Sequence, residues 1–200
     1  NKGKDRQGML ILVTGGSASG KSEYAEQCIT MLHKGKNTLL YLATMQPYGE
    51  EGAARVEKHR KQRAQRHFDT LEWYQNLQEA PVPEHSDILL ECMSNLAANE
   101  MFREEISPER IPVHIAECET RILDGVVHLL NACDNLVIVT NEVFSDTLSY
   151  DEFTLAYIQL LGHINAALAQ MSDKVVEVVY GIPVIHKQKA EIGEIKHETD

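Results

Sequence analysis

Apolar positions along this chain fall in short continuous runs, separated by longer stretches in which they recur every three or four residues. Short apolar runs bounded by turn residues predict buried strands, and the three-to-four spacing predicts helices packed on them. The run at 9–14 (MLILVT) predicts a strand that ends in a glycine-rich turn, and Tyr24, Ala25, Cys28, Ile29 and Leu32 predict a helix over 21–33. A second strand is expected at 38–43 (TLLYLA), and residues 50–66 predict a polar, basic helix without an apolar stripe. A short strand at 71–73 and a loop at 80–85 with two prolines come next, then a strand at 87–91 (DILLE) and a helix at 94–102. Ser107-Pro108 and Ile111-Pro112 read as breaks before a long helix at 113–133. A strand at 136–140 (LVIVT), a helix at 150–171 and a last strand at 174–180 (KVVEVVY) complete the pattern, with Gly181-Ile182-Pro183 closing it. Strands alternating with helices predict an α/β fold of three layers around a mostly parallel sheet.

Composition narrows the class. The chain has 200 residues, 43% hydrophobic and 24% charged, the balance of a soluble globular domain. The expected organisation is a leader or remnant at 1–8, a single domain at 9–184 and a polar, frayed tail at 185–200. A net charge of -11 argues against nucleic-acid partners and anionic membrane surfaces, which need a basic face. No apolar run reaches the length of a membrane span, so a cytoplasmic location is expected. Cys28, Cys92, Cys118 and Cys133 form no C-x-x-C pair, and the reading has no histidine at metal-ligand spacing; free thiols serving as core fillers are expected.

The chemistry concentrates after strands, where open parallel sheets collect ligands. Gly15-Gly16-Ser17-Ala18-Ser19-Gly20-Lys21-Ser22 fits G-x-x-x-x-G-K-[ST] between a strand and a helix. Its backbone N–H groups and the helix N-terminus suit phosphates, Lys21 suits β/γ oxygens, and Ser22 suits Mg²⁺. Glu91 ends a strand, within range of Mg²⁺ or ribose hydroxyls, and Glu142 follows another strand through Asn141. Residues 55–66 (RVEKHRKQRAQR) carry six Lys/Arg against one Glu. Arg55, His59 and Arg63 share one helical face, which suits a triphosphate or a phosphorylated substrate. His59 there is either a nitrogen nucleophile toward an α-phosphate or an exposed histidine on a solvated helix. On residues alone the chain is a transferase, another small-molecule kinase or NTPase, or a nucleotide-binding protein without turnover.

Several segments together carry a resemblance. They are ILVTGGSASGKSEYAE (11–26), LYLATMQ (40–46), AARVEKHRKQR (53–63), TLE (70–72), ILLECMSNLAAN (88–99), VTNEV (139–143), GHIN (162–165) and VVYGIP (178–183). In these the chain resembles the bifunctional adenosylcobinamide kinase/adenosylcobinamide-phosphate guanylyltransferase family of cobalamin biosynthesis. The resemblance implies a P-loop NTPase (RecA-like) fold and two reactions. A γ-phosphate from ATP or GTP goes to the aminopropanol hydroxyl of the cobinamide, and a guanylylated histidine then passes GMP to that phosphate. It implies that His59 is the nucleophile. It further implies nucleotide contacts at Arg60, Lys61, Gln62 and Arg63, at the turn Thr44-Met45-Gln46, and at Glu72 and Glu91. A corrinoid acceptor and a trimer with sites near the subunit boundary are implied as well. The chain departs from the family pattern at Phe144-Ser145-Asp146, where Gly-x-Gly is usual, at Leu155, Ile158 and Gln159, where an Arg and an Arg-Asp pair are usual, and at Ala64 and Phe68, where Pro and Trp are usual.

Overall fold

A computed structural model describes residues 8–47, 54, 57, 67–142 and 150–189. Its elements are β1 (Leu10–Thr14), α1 (Lys21–Leu32), β2 (Leu39–Ala43), β3 (Asp69–Glu72), β4 (Ser86–Glu91), α2 (Met93–Met101), α3 (Ile111–Ala132), β5 (Cys133–Val139), α4 (Glu152–Met171), β6 (Lys174–Val179) and β7 (Ile182–Gln188). The described strands make one seven-stranded sheet in the order β3-β2-β4-β5-β1-β6-β7. Every pairing is parallel except β6 with β7.

The alternation of each strand sorts the core into two faces. Leu10, Leu12, Leu42, Ile88, Leu90, Leu136 and Ile138 pack with α2, α3 and α4. Ile11, Val13, Tyr41, Leu89, Val137 and Val139 pack with Ala25, Cys28 and Ile29 of α1. This is the expected three-layer α/β fold. One strand, β5, stands between the phosphate-loop strand β1 and the acid-bearing strand β4, the strand order of a RecA-like P-loop domain. After β1 the chain crosses by α1 on one face toward β2; after β5 it crosses by α4 on the other face toward β6. The carboxyl ends of β1 and β5 therefore flank a topological switch point, where such sheets open a crevice.

Three expectations change. Ile111 and Pro112 open α3 instead of breaking the chain before it, because a proline in the first helical turn gives up an N–H that has no intrahelical partner. Pro183 does not end the sheet. Tyr180 (φ 50°) and Gly181 (φ 76°) form a two-residue turn of the type I′ kind, and Ile182–Gln188 returns as an antiparallel strand. The proline is tolerated because β7 is an edge strand. Residues 185–188 of the expected tail thus belong to the sheet. In the basic helix expected at 50–66, Ala54 and Glu57 are helical, and the other residues lie outside the described ones.

Candidate nucleotide and acceptor site

The phosphate loop is shaped by contacts that leave little room for side chains. A Cβ on Gly15 would stand 2.5 Å from Ser19 Oγ and 2.6 Å from the Val178 carbonyl oxygen. Gly20 (φ 92°) caps α1 in a conformation that favours glycine. The Gly181 N–H donates to the Ser19 carbonyl at 2.7 Å, so the β6–β7 turn braces the loop from behind. Lys21 Nζ donates to the Gly16 carbonyl at 2.9 Å, back across the loop. Ser17 and Ala18 are exposed at the tip.

Glu91 and Ser22 come together as the sequence suggested. The Ser22 hydroxyl donates to Glu91 Oε1. The Tyr41 hydroxyl donates to Oε2 at 2.5 Å, a contact that sequence reasoning missed because Tyr41 sits inside an apolar strand run and reads as core. Two hydroxyl donors fix the carboxylate facing the first turn of α1. A hydroxyl and a carboxylate are the hard oxygen donors that Mg²⁺ takes alongside phosphate oxygens and water. Among the described residues no group of three His, Cys, Asp or Glu side chains could hold a metal.

The remaining expected contacts divide. Thr44 is buried, and its polar atoms are committed: Oγ1 accepts from the Cys92 N–H at 2.8 Å and donates to the Cys92 carbonyl at 2.7 Å, the N–H donates to the Glu91 carbonyl, and the carbonyl accepts from Asn99 at 2.8 Å. Its hydroxyl holds the end of β4 in place. Met45 and Gln46 follow at the half-exposed rim. Glu72 ends β3 beside Ala43, as Glu91 ends β4 beside the same residue, and it accepts from the Tyr74 hydroxyl at 3.3 Å. Strands lie about 4.8 Å apart, so Glu91 is roughly 10 Å and Glu72 roughly 19 Å along the sheet from β1. Glu91 thus lies close to the phosphate loop along the sheet, and Glu72 farther from it. His59, Arg60, Lys61, Gln62 and Arg63 lie outside the described residues, as do Phe144-Ser145-Asp146.

A cavity of about 340 Å³ opens at the switch point. Gly15, Gly16, Ser17 and Lys21 line it together with Asn141, Glu142 and the α4 residues Thr154, Tyr157, Ile158 and Leu161. A polar chain fixes its floor. Thr140 Oγ1 donates to Asn165 Oδ1 at 2.7 Å, Asn165 Nδ2 donates to the Asn141 carbonyl at 3.1 Å, and Asn141 Nδ2 donates to Ser94 Oγ at 2.8 Å. The GHIN segment thus acts through Asn165, which ties α4 to the end of β5.

The cysteines are free, and Cys28, Cys118 and Cys133 are buried. The reading that no histidine stands at ligand spacing needs correction: His114 and Cys118, four residues apart on α3, meet at 3.5 Å. Burial pushes the Cys118 thiol up to about 11, the thiol donates to the Glu100 carbonyl at 3.5 Å and His114 Nε2 bonds the Met101 carbonyl at 3.0 Å, so the pair is a core contact. No helix among the described residues is long and apolar enough to cross a membrane.

Comparison with known proteins decides the family. The model of the cobinamide kinase / cobinamide phosphate guanyltransferase family matches residues 11–185. The chain belongs to this family. It is 33% identical to the bifunctional adenosylcobalamin biosynthesis protein CobU of Escherichia coli (strain K12), over 88% of the chain and 98% of that protein. It is 35% identical to the protein of the same name from Salmonella typhimurium, with the same shares covered. The bifunctional adenosylcobalamin biosynthesis protein CobP of Pseudomonas aeruginosa is 26% identical, over 88% of the chain and 96% of that protein. Among solved structures, the flagellar accessory protein FlaH from Methanocaldococcus jannaschii aligns with a TM-score of 0.45 at 12% identity, over 92% of this chain and 80% of that one.

Proposed function

We propose that the chain phosphorylates the hydroxyl of a cobinamide and then transfers GMP from GTP to that phosphate through a guanylyl-His59 intermediate. The observation that carries the reading is the Ser22–Glu91–Tyr41 cluster facing an intact phosphate loop, at the switch point of a chain in this family. In the kinase step the loop amides and Lys21 hold the triphosphate, and the acceptor oxygen attacks the γ-phosphorus and expels the nucleoside diphosphate. Ser22 and Glu91 would hold Mg²⁺, which when bound neutralises charge on the phosphate oxygens. In the second step an imidazole nitrogen of His59 forms a bond to the α-phosphorus of GTP, and the bond to pyrophosphate breaks. An oxygen of the cobinamide phosphate then takes that phosphorus and frees the histidine. Flanking Arg60 and Arg63 stabilise the phosphates and keep His59 neutral. Glu72, Met45 and Gln46 serve the nucleotide at the far end of the crevice.

The test is to incubate the protein with Mg²⁺ and GTP labelled at the α-phosphate, then denature it. The expected result is label on the protein that is acid-labile, alkali-stable and lost in His59→Ala. Intact protein that takes up no label sinks the transferase half. The reading also includes self-association of the chain into a trimer, supported by the apolar surface of the β6–β7 hairpin.

A further inference from the structure

Glu142 is the one carboxylate among the described residues that line the cavity beside the phosphate loop. At about 340 Å³ the cavity lies at the small end of ligand pockets, which run roughly 300–1,000 Å³. It has room for a hydroxyl-bearing arm and leaves a corrinoid macrocycle outside. Tyr157 and Ile158 give it an apolar wall, and Lys21 brings the phosphate end of the site into the same space. Asn141 is held through both its carbonyl and its side chain, so the backbone leading into Glu142 is fixed.

Behind Glu142 stand two further titratable groups. Its carboxyl is hydrogen-bonded to Glu177 of β6, and Glu177 accepts from His186 Nε2 of β7 at 2.7 Å. Across the cavity the facing groups are Lys21, Tyr150 and Tyr157. Glu142 is an exposed residue at the cavity; partial desolvation first, then the bond to Glu177 and its negative charge, push it above the ordinary carboxylate range, while His186 pulls the other way. Glu177 moves down, chiefly through its bond to His186. Of the two carboxyls, Glu142 is the one that opens on the cavity. A base whose pKa is raised toward the working pH is the more effective proton acceptor.

We propose that Glu142 is the proton acceptor of the kinase step, with the alcohol arm of the acceptor seated in the cavity between the phosphate loop and α4. The inference rests on the kinase reading above. As the acceptor oxygen forms its bond to the γ-phosphorus, the bond from that phosphorus to the β–γ bridging oxygen breaks and its electron pair leaves with the diphosphate. The hydroxyl proton passes to a Glu142 carboxylate oxygen and from there to water. Glu177 and His186 are positioning residues that set the charge state of Glu142.

Three readouts on the full-length protein test this: ATP-dependent phosphorylation of cobinamide, the KM for ATP, and GMP transfer onto cobinamide phosphate supplied ready-made. Glu142→Gln is expected to lower kcat of phosphorylation about 100-fold or more, with the KM for ATP and the GMP transfer retained. Phosphorylation by the wild type rises with pH as Glu142 loses its proton. Glu177→Gln removes a negative neighbour, so that limb is expected to move to lower pH, a shift that a merely structural role would not produce. An undiminished kinase rate in Glu142→Gln overturns the proposal, as does an unmoved limb in Glu177→Gln or a loss of all three readouts together. If the wild type itself phosphorylates no cobinamide, the kinase reading falls, and this proposal falls with it.

Discussion

At Gly15 and Gly16 two neighbouring glycines face different constraints. A methyl group on Gly15 would meet a backbone carbonyl at 2.6 Å, which has no free rotation to yield, whereas one on Gly16 meets nothing within 4 Å. Overpacking of this kind costs about 1–3 kcal/mol. Gly15→Ala is therefore expected to lower the melting temperature by about 2–4 °C for each kcal/mol lost and to weaken ATP binding. Gly16→Ala should melt with the wild type. Equal melting temperatures for the two variants, read by calorimetry, would refute this account of the loop. The motif made both glycines visible in the sequence but could not tell them apart, because the difference comes from Val178, far along the chain on β6. Thr44 shows the same limit: the family resemblance implies a nucleotide contact there, and only the neighbouring strand end reveals that its hydroxyl is taken by Cys92. Tyr41 was hidden for the opposite reason, an aromatic in an apolar run whose hydroxyl alone reaches the site.

Among the elements, the strands were the most legible, since buried parallel strands are short apolar runs with few other readings. The ends of elements were less so, because caps and turns decide them. The Asp151 carboxylate accepts from the N–H groups of Phe153 and Thr154 at 3.0 and 2.9 Å and from the Thr154 hydroxyl at 2.7 Å, which starts α4 at Glu152. These bonds hold its pKa below the ordinary range, with the Thr154 hydroxyl the largest cause. The contribution is present above the unfolded-state pKa and is lost as pH falls through the lowered folded value. Asp151→Ala is expected to speed amide exchange at Phe153 and Thr154 and to raise the KM for the acceptor, since Thr154 lines the cavity. Asp151→Asn, also a good N-cap, should restore most of the helix start. Exchange at those two amides that is unchanged in Asp151→Ala would remove the cap from the account. The β6–β7 hairpin was the element the sequence concealed, because Gly181-Ile182-Pro183 looks like the close of the last strand and the residues from His186 on are mostly polar.

In the whole molecule the hairpin joins two roles that the sequence kept apart. Its outer surface is apolar: Tyr180 is 94% exposed, Ile182 65% and Ile185 52%. An edge strand with such a surface invites pairing with another chain. Its turn also reaches the phosphate loop, where Gly181 donates to the Ser19 carbonyl at 2.7 Å. Burying the hairpin in an assembly would restrain that turn and so the loop it braces. Coupling between two equilibria runs both ways, so nucleotide bound at the loop should in turn tighten the assembly. Ile182→Asp places a charge on the exposed apolar strand, and it is expected to shift the sedimenting species toward the monomer and to weaken ATP binding in parallel. Adding ATP to the wild type should lower the protein concentration at which the larger species forms. A monomeric wild type at all concentrations would end the argument for assembly. A variant that dissociates yet binds ATP as before would leave the hairpin an interface and break its link to the phosphate loop.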